Sequence, residues 1–254
     1  SLSGDSSGVV ALGAGNLTFE QIGDSSYAGT ITGSGSVIKQ GPGLLAFPGT
    51  NSHSGLTAVL EGTLEFASLG SLGAGQVLVN GGTLRYAPGN TSDLSSHGFD
   101  MGANGATIDT NGNTVTFANA IGSGSPGSLT KTGTGTLVLG GTNTYSGGTR
   151  ITGGVLSISH SANLGAGSNS LTLDGGTLRT TDNVDLSGPV ILAGNGTLDL
   201  TNGTRLNILN TVSGAGGLTK TGAGFLTLIG TQTYTGPTDV LGGFFKVESG
   251  SRAS

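Results

Sequence analysis

A chain that repeats itself at one long interval has few folds open to it, because each unit must bury its apolar face against the next unit along. Here the segment LTKTGTGTLVLGGTNTYSGGTRITGGVLSIS, residues 129–159, has a downstream copy at 218–249, LTKTGAGFLTLIGTQTYTGPTDVLGGFFKVES. An upstream copy at 37–68 reads VIKQGPGLLAFPGTNSHSGLTAVLEGTLEFAS. Lys39, Lys131 and Lys220 mark equivalent points, 92 and then 89 residues apart.

Within the unit, apolar residues alternate with small polar ones over four to six positions, as in Leu137, Val138, Leu139 and in Val155, Leu156, Ile158. Such runs are strands, too short for helices. Gly133, Gly135, Gly140, Gly141, Gly147, Gly148, Gly153 and Gly154 stand between them and turn the chain. Short strands, glycine corners and a long internal echo predict an all-β fold, a right-handed parallel β-helix or β-solenoid. One coil takes roughly 20 to 25 residues, so each period holds about four coils and the chain about ten to twelve. Strands about 4.8 Å apart then make a rod roughly 50 to 60 Å long, with long faces and no obvious cleft.

The whole chain, 1–254, reads as one continuous segment of about two and a half repeats. Residues 1–36 form the tail of an earlier unit, 37–120 the first repeat, 121–211 the second and 212–254 a partial third. LGAG recurs at 72–75 and 164–167, and GGTLR at 81–85 and 175–179. The offsets of 92 and 94 imply a two-residue insertion in a turn. ATID at 106–109 is answered by GTLD at 196–199. The stretch Ala87–Gly102, APGNTSDLSSHGFDMG, shows little alternation and is the expected excursion from the rod. Residues 1–10 lack the basic start and apolar core of a signal peptide, so the chain reads as a mature segment whose open strand edges are capped or continued elsewhere.

Composition narrows the function classes. Glycine and proline, 52 and 6 residues, approach the range of disordered sequence, but the glycines are periodic and 34% of the chain is hydrophobic. Charged residues are only 9% and the net charge is −5, so no basic stripe is available for nucleic acid. Cysteine is absent, which removes disulfides, thiolate chemistry and cysteine-ligated zinc. No apolar run reaches the length of a transmembrane segment.

The segments GTGTLVLGGTNTYSGGT at 133–149, GAGFLTLIGTQTYTGPT at 222–238 and the divergent GPGLLAFPGTNSHSGLT at 41–57 resemble the autotransporter-associated β-strand repeat, also called the passenger-associated transport repeat. The lead-ins GSGSPGSLTKTG at 122–133 and GAGGLTKTG at 214–222 resemble that family too. The resemblance implies a passenger segment of a type V secretion protein of a Gram-negative bacterium, carried across the outer membrane by its own C-terminal β-barrel translocator. It further implies a right-handed β-helix on the bacterial cell surface or secreted, with repeats that serve export and folding rather than chemistry. The first copy departs from the motif at His53, where the other copies hold Tyr145 and Tyr234, and at Phe47 and Pro48, and this predicts a weaker aromatic corner there.

Residues that might carry chemistry are better explained by structure. GDSS at 4–7 and 23–26 resembles the box around the nucleophile of secreted serine proteases found on some autotransporters, but Ser6 and Ser25 have no base and carboxylate to go with them, and glycine turns account for both. His53, His97 and His160 lie in different phases of the repeat, show no metal-ligand spacing and read as lone surface histidines. Asp174, Asp185 and Asp199 could form the paired carboxylates of a polysaccharide-cleaving β-helix. Asp109 and Asp199, however, precede Asn-Gly turns, which suits capping. Calcium-binding nonapeptides are missing, since Asp174 precedes its glycines. Tyr145 and Tyr234 read as packed rings rather than ligand platforms. No catalytic, cofactor-binding or metal-binding residue is therefore assigned, no cofactor is expected, and this segment is read as non-enzymatic.

The function this reading predicts is a structural stalk and adhesive surface for bacterial attachment, self-association or biofilm formation. Its partners would be its own copies on neighbouring cells or host surface and matrix components. The alternative is a β-helical scaffold for a protease, esterase or toxin activity located outside this chain.

Overall fold

A computed structural model describes residues 6–248 of the chain. The short alternating runs all form strands, and every strand pair among the described residues is parallel. A parallel pair cannot be closed by a tight hairpin, so the chain reaches its next partner only by travelling once round. The result is a solenoid of about 12 turns. One turn takes from 19 residues, as between Leu44 and Thr63, to 24, as between Thr83 and Thr107.

The coil has three faces. The first carries five strands from Leu17–Glu20 to Phe99–Met101 and resumes as four strands from Val184–Leu186 to Phe244–Val247. Between them the turns pass as loops that keep the coil-to-coil bonding, with Ser146 N donating to Ser125 O and Ala166 N to Tyr145 O. A continuous ten-stranded sheet from Ser25–Ser26 to Val212–Ser213 makes the second face. The third begins as the pair Val9–Ala11 and Thr30–Thr32 and becomes a seven-stranded sheet from Thr114–Phe117 to Thr238–Val240.

Because successive strand residues point to opposite sides, each face sends one column inward and another outward. The inward column of the second face is Leu45, Leu64, Leu84, Ile108, Lys131, Ile151, Leu173 and Leu192, all fully or almost fully buried. Its outward column includes four successive threonines, Thr63, Thr83, Thr107 and Thr130. The core is thus a stack of aliphatic rungs with aromatic rungs at Phe47, Phe66, Tyr86 and Phe117.

The repeat does not return to the same face. Four turns carry the chain from Lys39 through Val59, Val79 and Met101 back to the first face near Ser125, yet Lys131 lies one face further on. Four more turns lead from Lys131 through Ile151, Leu173 and Leu192 to the second face near Gly214, and Lys220 again lies one face on. The period is therefore about four and a third turns rather than the expected four. Each copy is rotated by one face, about a third of a turn, against the copy before.

The stretch 87–102 is less of an excursion than its composition suggests. Asn90 Nδ2 donates to Phe66 O, Leu94 is buried in a short 3-10 turn, and Phe99–Met101 returns to the first face. The segment only lengthens its coil to 24 residues. The two-residue insertion lies at Ser168–Ser170, where the second copy has three residues before its strand and the first has only Gln76, and it lengthens that coil from 20 to 22 residues.

Candidate functional site

Each copy contributes a lysine corner, and the first two copies a second corner, that join it to the next coil, and the alternation places their key residues inside. Lys39, Lys131 and Lys220 share strand parity with Val37, Leu129 and Leu218, so their stems enter the apolar core. All three are buried, to 1%, 0% and 0% exposed. At the glycine corner the Lys131 Nζ donates to Thr132 O at 2.7 Å, Gly133 O at 3.0 Å and, one coil on, Gly153 O at 3.2 Å. Lys39 does the same to Gln40, Gly41 and Glu61, and Lys220 to Thr221, Gly222 and Gly242, at 2.6 to 3.2 Å. An ammonium has three N–H bonds, and all three are used.

Burial lowers the pKa of each lysine, while Glu61, Asp109 and Asp199 pull Lys39, Lys131 and Lys220 back up. Lys131 comes to about 8 and so stays charged at neutral pH. Nothing in the reading of these lysines as repeat markers placed them in the core. The signal was their shared parity with the apolar residues two positions earlier.

The second corner lies about a dozen residues on. Asn143 bridges three coils, its Oδ1 accepting from Ile121 N at 2.9 Å and its Nδ2 donating to Asn163 O at 2.5 Å. Asn51 does the same between Ile31 N and Ser71 O. Tyr145 is fully buried, with its hydroxyl 2.7 Å from Thr149 Oγ1. Thr149 Oγ1 in turn donates to Leu164 O in the next coil. In the first copy His53 Nε2 takes the phenol's place, 2.8 Å from Thr57 Oγ1, which donates to Leu72 O. Since the threonine proton is committed to the carbonyl, the ring supplies the donor and His53 carries a proton on Nε2. Its Nδ1 is buried without a partner, and burial lowers its pKa.

Two expectations are corrected here. His53 is not a surface residue, being 0% exposed, and its corner keeps the tyrosine's hydrogen bond because Nε2 has the reach and the proton.

The other candidates are kept apart by the coil. His97 is half-buried and His160 exposed, in different turns. Asp174, Asp185 and Asp199 do not face one another; each meets an arginine of a neighbouring coil, Arg150, Arg205 at 3.4 Å and Arg179 at 2.7 Å. Asp109 caps its Asn-Gly turn by accepting from Asn111 N at 2.8 Å, whereas Asp199 instead accepts from Thr221 Oγ1 at 3.3 Å. Asp24 accepts from Leu44 N at 2.9 Å, and the Ser25 hydroxyl beside it is buried without a partner. Gly4 and Asp5 of the first GDSS lie outside the described residues. Among the described residues no group of three or more His, Asp or Glu could hold a metal ion, and no helix is long and apolar enough to cross a membrane.

A parallel solenoid whose copies are fastened coil to coil by a buried lysine and a tyrosine or histidine corner is a repeat-built scaffold. The repeats are those of autotransporter passengers: the passenger-associated-transport-repeat family matches residues 37–66, 129–158 and 218–247, the strands and corners just described. The chain is also 44% identical over 149 residues to the adhesin BmaC autotransporter of Brucella suis biovar 1 (strain 1330). That alignment takes in 56% of this chain and 4% of the relative, so the chain spans a small part of that protein's length. No solved structure matches the chain.

Proposed function

We propose that this chain is a surface-displayed or secreted passenger segment that serves as a stalk and presents adhesive faces. In the full-length protein a C-terminal β-barrel translocator would carry it across the outer membrane. The observation that carries the reading is the exterior: an outward column of uncharged hydroxyls, Thr63, Thr83, Thr107 and Thr130, on four successive coils of a rod with few charges. The adhesin relative supports it. One hydrogen bond adds about 1 kcal/mol net, so attachment needs many rods engaged together.

Displayed on beads, the chain should cause clumping or attachment to host matrix that persists at several hundred millimolar salt, an order of magnitude that screens charges beyond a few Å. Beads that neither clump nor attach at any salt would leave a passive stalk and defeat the adhesive half of the reading. In the same reading the segment performs no catalysis. Hydrolysis of protein, ester or glycan that vanished in Ser25→Ala, Asp174→Ala or Asp199→Ala would contradict this.

A further inference from the structure

On the first face two aromatic rings stand outside the rod. Phe225 and Phe244 occupy outward positions of neighbouring strands, stacked at 4.5 Å and 6° between planes. They are 47% and 61% exposed. Val240 and Val247 are exposed for a different reason, since both point to the core side of the last described coil. The repeat does not require the rings. The same register pairs Leu44 with Thr63 in the first copy and Thr136 with Val155 in the second, and both copies fold alike.

The rings belong to a line of otherwise scarce charges. One outward column reads Arg205, Phe225, Phe244, and the column beside it Asp185, Asn207, Thr227, Lys246, one coil per step. The side chains of Arg205, Asp185 and Lys246 are 51%, 52% and 69% exposed; within the chain Arg205 meets Asp185 at 3.4 Å and Lys246 meets Glu248 at 2.7 Å. Aromatic residues and arginine are the usual anchors of protein interfaces. The order of the charges then decides the partner. A second rod laid alongside in the same direction runs its strands the opposite way: with the axis through the second column it sets Asp185 on Asp185 and Lys246 on Lys246, and with the axis between the columns it sets Asp185 against Asn183, so in neither case does Asp185 meet a cation. Turned end for end about a two-fold axis between the coils of Arg205 and Phe225, it sets Asp185 against Lys246 and Arg205 over the ring of Phe225, each twice.

We propose that this patch is a self-complementary contact through which two copies of the chain pair side by side and antiparallel. The proposal rests on the adhesive reading above and names its partner and surface. Rods projecting from facing cells meet in this orientation. Four coils span about 19 Å, and four strand residues about 13 Å, so one contact falls well short of the ~1,000 Å² of a stable interface and acts only in numbers. The rings hold the contact; the charges select its direction.

The test uses the whole chain displayed on beads at low ionic strength, where charge pairs count most. Wild-type beads should clump. Phe225→Thr with Phe244→Val, the residues of the second copy, should keep the β spectrum and lose clumping. Asp185→Lys beads and Lys246→Asp beads should each fail to clump alone and clump when mixed, since each then supplies the charges the other needs. Wild-type clumping that all these variants retain would leave the adhesive reading standing and overturn this surface. Mixed beads that stay dispersed overturn the antiparallel register. Intact self-clumping with lost attachment to matrix in the ring variant would assign the patch to another partner. Wild-type beads that never clump overturn the proposal, and if they also fail to attach to matrix the adhesive reading goes with it.

Discussion

Lys131 shows how a charge can serve a core. Its stem packs between Ile108 and Ile151, and its ammonium satisfies three corner carbonyls that would otherwise lack donors. Replacing it with methionine keeps the packing and strands the carbonyls, a cost of about 2 to 3 kcal/mol if part of the corner rehydrates. An unchanged urea midpoint for Lys131→Met would show that the bonds contribute nothing net. His53 gives a pH dependence. Burial lowers its folded pKa below the usual value of about 6.5, so below that value the unfolded chain binds a proton that the folded chain does not. Stability should therefore fall as pH drops from 7.5 to 5. In His53→Tyr, which carries the ring of the other copies, the fall should be smaller; identical pH profiles for the two proteins would remove His53 as its source.

At the scale of the coil, the corners rather than the strands set what is tolerated. Gly75 stacks on Gly55, and a Cβ there would overlap the Gly55 carbonyl; Gly23 has open space and an ordinary φ. Gly75→Ala should cost more than about 2 kcal/mol, as a clash that only a backbone shift relieves, whereas Gly23→Ala should be neutral or stabilise by up to about 1 kcal/mol through the unfolded chain. Thermal melts of the two variants would test the ordering, and equal losses would contradict it. Much of the element structure was legible beforehand. Strand lengths followed from runs such as Leu137–Leu139, and the insertion fell in a turn. The stretch 87–102 was misjudged because proline, glycine and aspartate dominate its composition, while Leu94 and Phe99, which bind it to the core, are single residues outside any alternation.

For the whole molecule, about 12 coils at about 4.8 Å make a rod close to 60 Å long. Solution scattering should report an elongated particle of that length, and far-ultraviolet circular dichroism a β spectrum; a compact particle would exclude the solenoid. The advance of one face per repeat spreads the lysine corners round the rod at three azimuths. It also explains why the same Arg–Asp pair, Arg85 with Asp109 and Arg179 with Asp199, appears first on the second face and then on the third.

By itself the sequence determined the class of fold, the place of the strands and corners, and the repeat, because period-two alternation and glycine are local properties of a chain. Which face each copy occupies depends on the residue count of every turn between copies, a sum of loops that no motif encodes. Whether a polar side chain is core or surface depends on what the next coil places beside it. Lys131 and His53 were therefore settled only when the neighbouring carbonyls and hydroxyls came within hydrogen-bond reach. The outward stack of Phe225 on Phe244 was likewise decided by register, since 19 residues separate two rings that only a full turn of the rod brings together.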